Sequence, residues 1–183
     1  MSTTGKLVCL TIVAGAMTIA AGQKFDYKIL ATNKTSTMEK ELNEAAAAGY
    51  IFSAVMGGDT VGGKEAVIAM VKSPAKRSYK LLATNKTSTM QKELQALADE
   101  GFDYVGQTVY QTALGGHEVV IIMEKDPAKK AHKTSYRLLA TTKTSTTEKE
   151  LNLAGQDGYS LVGMTVGKTA FGGSEIVSIL RKD

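Results

Sequence analysis

Three short stretches of this chain carry residue types that suit anion binding. They are Lys34-Thr35-Ser36, Lys86-Thr87-Ser88 and Lys143-Thr144-Ser145. Each is a lysine followed by two hydroxyls, and each sits where a helix is expected to begin. Free backbone N–H groups, the positive end of the helix dipole, a cation and two hydroxyl donors together fit a small anion or an acidic ligand. The same residues also suit plain helix capping. The lysine would then be left to a surface ion pair, worth up to about 1 kcal/mol. A glutamate recurs behind a Gly-Gly turn in all three places, as Glu65, Glu118 and Glu175. The expected topology puts it at the same end of the sheet as the lysine, so Lys34 can approach Glu65, Lys86 can approach Glu118 and Lys143 can approach Glu175.

Catalytic chemistry has little to work with. The chain has two histidines. His117 is matched by Lys64 and Ser174 in the other copies, and His132 falls in a linker. That argues against a histidine triad and a multi-histidine metal site. The single cysteine, Cys9, excludes a disulfide framework and a Cys-rich zinc site. Glu41, Glu93 and Glu150 recur but read as solvated helix faces. The Gly-Gly turns lack nucleotide-loop spacing and lead into strands, not helices. No catalytic residue, metal ligand or cofactor is assigned, and the chain reads as non-enzymatic.

What positions these residues is an internal repeat. Tyr27-Lys28-Ile29-Leu30-Ala31-Thr32 returns from Tyr79 and again from Tyr136, at a period of about 50 residues. The two prolines, Pro74 and Pro127, mark the joints, because proline after a strand ends the ladder. The organisation is repeat 1 over 25–72, a linker over 73–76, repeat 2 over 77–125, a basic linker over 126–133 and repeat 3 over 134–183. The basic linker reads as a solvated tether or a contact for an anionic surface.

Each copy reads strand, helix, strand, strand. Ser36 with Glu39, Ser88 with Gln91 and Ser145 with Glu148 have capping-box spacing, which places each helix start at the serine. The helices then bury Met38, Leu42 and Ala45 or Ala46; Met90, Leu94, Leu97 and Ala98; and Thr147, Leu151 and Ala154. Gly49, Gly101 and Gly158 end them. Aromatics follow at Tyr50, Phe102 and Tyr159, and a Gly-Gly hairpin joins the last two strands. The expected sheet has the third strand between the first and second, antiparallel to both, a split β-α-β arrangement. The fold class is therefore α+β, three tandem β-α-β-β repeats packed together.

Strands such as Val119-Val120-Ile121-Ile122-Met123 are apolar on both faces, yet one helix covers only one. The second face must bury against another repeat, and a pseudo-threefold cluster or a homo-oligomer would achieve that. Tyr27, Tyr79 and Tyr136 are read as core.

The run from Met38 to Tyr50, with Leu42-Asn43 near the middle of a helix and a Gly49-Tyr50 break, resembles the bacterial family known as domain of unknown function 4177. The resemblance covers each of the three copies. It implies the β-α-β-β fold and a bacterial origin, and it implies no activity. The Tyr50, Phe102 and Tyr159 positions often carry Trp in that family. The Lys-Thr-Ser-Thr loop and the triplication also depart from its single-domain form.

Residues 1–22 differ from the rest. Lys6 precedes an uncharged apolar run from Leu7 to Ala21, too short for a comfortable membrane span. Small residues Ala20 and Gly22 precede Gln23, so the segment reads as a signal peptide. The chain is then periplasmic or secreted, with no membrane span after cleavage. The competing reading is a retained strand, since Leu7–Ile12 echoes Leu161–Val166, and the chain would then be cytoplasmic.

The net charge of +4 comes from 22 basic and 18 acidic residues scattered along 183 positions, with 43% hydrophobic residues. That composition argues against disorder and coiled coil. With three arginines and no aromatic–basic surface pattern, nucleic acid is disfavoured. The remaining partner classes are a protein, a small anionic ligand and further copies of this chain. Binding or assembly is the expected work.

Overall fold

The computed structural model describes residues 24–84, 87–111, 117–130, 133–168 and 173–183. The first unit is β1 (Tyr27–Thr32), α1 (Thr35–Ala47), β2 (Tyr50–Thr60) and β3 (Gly63–Lys72). The second is β4 (Ser78–Thr84), α2 (Thr87–Asp99), β5 (Asp103–Gln111) and β6 (His117–Lys125). The third is β7 (Ser135–Thr141), α3 (Thr144–Gln156), β8 (Ser160–Lys168) and β9 (Ser174–Lys182). The sheets are ordered β1-β3-β2, β4-β6-β5 and β7-β9-β8, antiparallel throughout. The α+β class and the repeated β-α-β-β unit are as expected, with the third strand central in each.

Helix ends follow the glycines. Gly49, Gly101 and Gly158 have φ of 84°, 88° and 86°, a left-handed conformation that strains any residue with a Cβ. A lysine from each unit's last strand completes the end. Lys72, Lys125 and Lys182 donate to the carbonyls of Ala48, Glu100 and Asp157 at 2.6, 2.8 and 2.8 Å. Each ammonium also lies over the following aromatic ring, Tyr50, Phe102 or Tyr159. One side chain thus satisfies an orphan helix carbonyl and a π-face together.

Helix starts depart from the capping-box expectation. α1 and α3 begin one residue before the serine, with Lys34 and Lys143 as extended N-caps and no side-chain cap bond. The turn into α1 is made earlier, where the Thr32 hydroxyl accepts the Lys34 N–H at 3.2 Å. Glu39 does not reach back to the first turn. The outer edge of β4 offers it stronger donors, described below.

The cores explain why β6 is apolar on both faces. Ile121 and Met123, with Leu82, pack on α2 through Met90, Leu94 and Ala98. Val120 and Ile122 pack the other way, into the layer formed by Met38, Leu42, Ile68 and Met70 of the first unit. The third unit repeats this: Tyr136, Val177 and Ile179 enter the α2 layer. Each fully buried side chain of this size contributes about 1.5–3 kcal/mol, so the layers between units carry much of the stability.

The units form an open row. Contacts run from the first unit to the second and from the second to the third: α1 lies on β4, α2 on β7, β2 on β5 and β5 on β8. Among the described residues these contacts do not close a pseudo-threefold cluster. Its absence leaves Tyr27 59% exposed, against 1% for Tyr79 and 4% for Tyr136. The expectation that Tyr27 is core is therefore corrected, because no described unit precedes β1 to cover it.

Candidate functional site

Three of the helix-start residues, Thr35, Ser36 and Thr144, line two grooves. Lys34 and Ser36 are exposed and Thr35 is half-buried at the head of α1; Lys143, Thr144 and Ser145 are exposed at the head of α3. Thr87 and Ser88 open α2, while Lys86 lies outside the described residues. Thr35 and Ser36 line a groove with Glu39, Lys40, Asn43, Leu81 and Ala83. Thr144 lines another with Glu148, Leu151, Asn152, Met164 and Val166. Neither Lys34 nor Lys143 lines these grooves. Glu65 accepts from the Thr60 hydroxyl, and no ion pair joins Lys34 to Glu65 or Lys143 to Glu175 among the described residues. The Lys86–Glu118 pairing falls outside those residues with Lys86.

The first groove is where one unit grips the next. Asn43 Nδ2 donates to the Tyr79 carbonyl at 3.0 Å, and the Tyr79 N–H donates to Asn43 Oδ1 at 2.9 Å. One turn earlier, Glu39 accepts the Leu81 N–H at 3.0 Å and the Lys80 ammonium at 3.1 Å. Spacing of four residues puts both side chains on one helix face. They satisfy the outward N–H and carbonyl of Tyr79 and the N–H of Leu81 on β4, an edge strand that would otherwise be open to pairing there.

The second junction uses the same positions with amides. Gln91 accepts the Leu138 N–H at 2.6 Å and donates to the Tyr136 carbonyl at 3.0 Å. Gln95 accepts the Tyr136 N–H at 3.0 Å and donates to the Thr134 carbonyl at 3.1 Å. The leading tyrosine adds a bond to the neighbouring sheet. The Phe52 N–H donates to the Tyr79 hydroxyl, and the Tyr104 N–H to the Tyr136 hydroxyl, both at 2.8 Å. Phe52 and Tyr104 each stand just before a bulge in the edge strands β2 and β5. The Tyr79 hydroxyl donates onward to Glu124 at 2.7 Å. Burial foremost, with that carboxylate, holds Tyr79 above the ordinary tyrosine range. Burial also pushes Tyr104 up to about 12 and raises Tyr136.

Close packing of the sheets depends on glycine. A Cβ on Gly106 would come 2.7 Å from Phe52 Cζ, and one on Gly163 would fall on the Tyr104 hydroxyl. The residue before the bulge in one unit is thus seated over the residue after it in the next.

Sequence spacing gives Glu39 and Gln91 a capping role within their own helices, and it gives none of the gripping residues a role across a junction. The available signal was a hydrogen-bonding pair four residues apart in every copy: Glu39 and Asn43, Gln91 and Gln95, Glu148 and Asn152.

Elsewhere, charges at and beside the basic linker pair within the chain. Lys129 pairs with Asp103 at 2.7 Å, and Arg77 holds Glu124 and Asp126 at 2.9 and 3.0 Å. Among the described residues no three His, Cys, Asp or Glu side chains gather as metal ligands, and no helix is long and apolar enough to cross a membrane. No family model, curated protein or solved structure matches the chain.

Proposed function

We propose that this protein works by binding or assembly through the two ends of its row of units, as an exported, non-enzymatic protein. One observation carries the reading. The large hydrophobic side chains exposed among the described residues belong to the first and third units: Phe25, Tyr27, Ile29, Met56 and Val61 at one end, and Leu153, Leu161, Val162, Met164 and Val166 at the other. Apolar surface gathered in this way marks an interaction site. The test is photocrosslinking in the source cells, with the crosslinker at Ile29, at Met164 and at Glu93, an exposed residue of α2. Adducts at both ends and none at Glu93 are expected. Ends that stay uncrosslinked overturn the reading. Export rests on the residue 1–22 pattern and predicts an intact mass beginning near Gln23 outside the cytoplasm; a cytoplasmic chain retaining Met1 overturns it.

A small anion at the Lys-Thr-Ser starts is the alternative. It is favoured by the absence of side-chain caps on α1 and α3. The carboxylates of Glu39 and Glu148 line the same grooves and oppose an anion. Titration with inorganic phosphate, comparing the chain with a Lys34→Ala, Lys86→Ala, Lys143→Ala variant, decides it.

A further inference from the structure

We infer that the partner for each end is a second copy of this chain, joined head to tail, with the first unit of one copy docked on the third unit of another. The inference rests on the proposed binding role of the two ends and names their occupant.

The chain already makes this junction twice. In both, a helix offers two hydrogen-bonding side chains four residues apart to the leading strand of the next unit. α3 carries the same pair, Glu148 and Asn152, beside an open groove of about 680 Å³. β1 carries the matching strand. Tyr27 and Ile29 stand where Tyr79 and Leu81 stand, and they are 59% and 60% exposed. No described side chain bonds their outward backbone groups.

The side chains match in detail. Glu148 and Asn152 are the residue types of the first junction, Glu39 and Asn43, and the strand facing that junction contains Lys80. In a head-to-tail pair the corresponding residue is Lys28. Glu148 of one copy would meet Lys28 and the Ile29 N–H of the second, and Asn152 would close two bonds with Tyr27.

The sheet contact is matched in size. Phe52 lies over Gly106, and Tyr104 lies over Gly163. The third unit offers the smaller Leu161 before its bulge, and the first unit offers Ala54, not glycine, after its own. A smaller knob faces a shallower hole. The Leu161 N–H is then placed for the Tyr27 hydroxyl, as the Phe52 N–H is for Tyr79. The two surfaces are different patches, so the contact is heterologous. Addition continues until a ring closes or a filament grows.

The test is sedimentation of the protein as recovered from its source cells, at micromolar to millimolar concentration. A ladder of multiples of its single-chain mass that grows with concentration is expected. Glu148→Lys and Lys28→Glu should each weaken association about tenfold or more, and the chain carrying both reversals should recover most of it. A head-blocked Ile29→Asp chain mixed with a tail-blocked Met164→Asp chain should stop at dimers. A chain that stays monomeric throughout overturns the inference, including the case in which residues 1–23 cover β1. Dimers that survive in either blocked variant alone also overturn it, since they indicate a symmetric contact. Neither result touches the crosslinks expected in cells, so failure here is distinct from failure of the binding role.

Discussion

Asn43 and Tyr79 hold each other through two hydrogen bonds, amide to carbonyl at 3.0 Å and backbone N–H to amide oxygen at 2.9 Å. A side chain on one unit thereby stands in for a neighbouring strand on the next. Asn43→Ala leaves the Tyr79 N–H and carbonyl without these partners in a half-buried setting. The cost expected is about 1–3 kcal/mol, read from urea denaturation. Gln95→Ala should behave alike. Asn152→Ala, at the free end, should stay within about 0.5 kcal/mol when measured on dilute monomer. Equal losses at all three positions would mean that the side chain acts within its own helix.

Gly57 tests how closely the sheets approach. A Cβ there would fall on the Val109 carbonyl oxygen, which is backbone and cannot rotate away. Gly58 beside it has nothing within 4 Å of a built Cβ. Gly57→Ala should therefore destabilise by about 1–3 kcal/mol, and Gly58→Ala should be near neutral. Thermal melts of the two variants compare them directly. Indistinguishable melting would mean that β2 and β5 are spaced more widely than described.

Local patterns were legible in the sequence wherever the cause was local. The glycines at 49, 101 and 158 end helices because glycine adopts positive φ without strain, and the repeat fixes where each strand begins. The double-sided apolar run of β6 required a neighbour, and the neighbour is there. Its geometry was not legible. Ser36 with Glu39 satisfies the spacing of a cap, yet Glu39 finds the Lys80 ammonium and the Leu81 N–H in another unit. Spacing along a chain reports which groups share a face, not which strand will lie against it. The exposure of Tyr27 was hidden for the same reason. Its residue type equals that of Tyr79 and Tyr136, and only its place at the end of the row separates them.

Alkaline pH should loosen the junctions. Tyr79, Tyr104 and Tyr136 are all raised above the ordinary tyrosine value, chiefly by burial. The folded chain therefore keeps these phenol protons at a pH where the unfolded chain has begun to lose them, near pH 10 by the ordinary tyrosine value. Above that point the unfolded state binds fewer protons, so stability falls as pH rises. For Tyr104 the fall continues towards its folded value of about 12. Below about pH 9 these groups should leave stability flat. Urea denaturation at several pH values checks this, with Tyr104→Phe as the comparison. Tyr104 makes a long 3.3 Å contact with Gln107 through its hydroxyl, so the variant loses little at neutral pH. It should show a shallower alkaline decline. An identical decline would place the responsible protons elsewhere.

Ser178 is the one described buried side chain whose polar atom has no partner. It lies in β9 opposite Leu139 and Met164, where Ile68 lies opposite Leu30 and Val55 and Ile121 lies opposite Leu82 and Gln107. The sheet face that packs on its own helix thus has isoleucine in two units and serine in the third. α3 is slighter too, with Thr147 where α1 and α2 have Met38 and Met90. An unsatisfied buried hydroxyl costs about 1–3 kcal/mol. Ser178→Val removes that cost and buries two methyl groups in a layer that accepts larger residues in both sister units. The variant should gain about 1–2 kcal/mol in urea denaturation, within the range of cavity-filling changes. Ser178→Ala, which removes the hydroxyl without filling space, should gain less. A loss in both variants would show that the hydroxyl is bonded and that the third layer is already full.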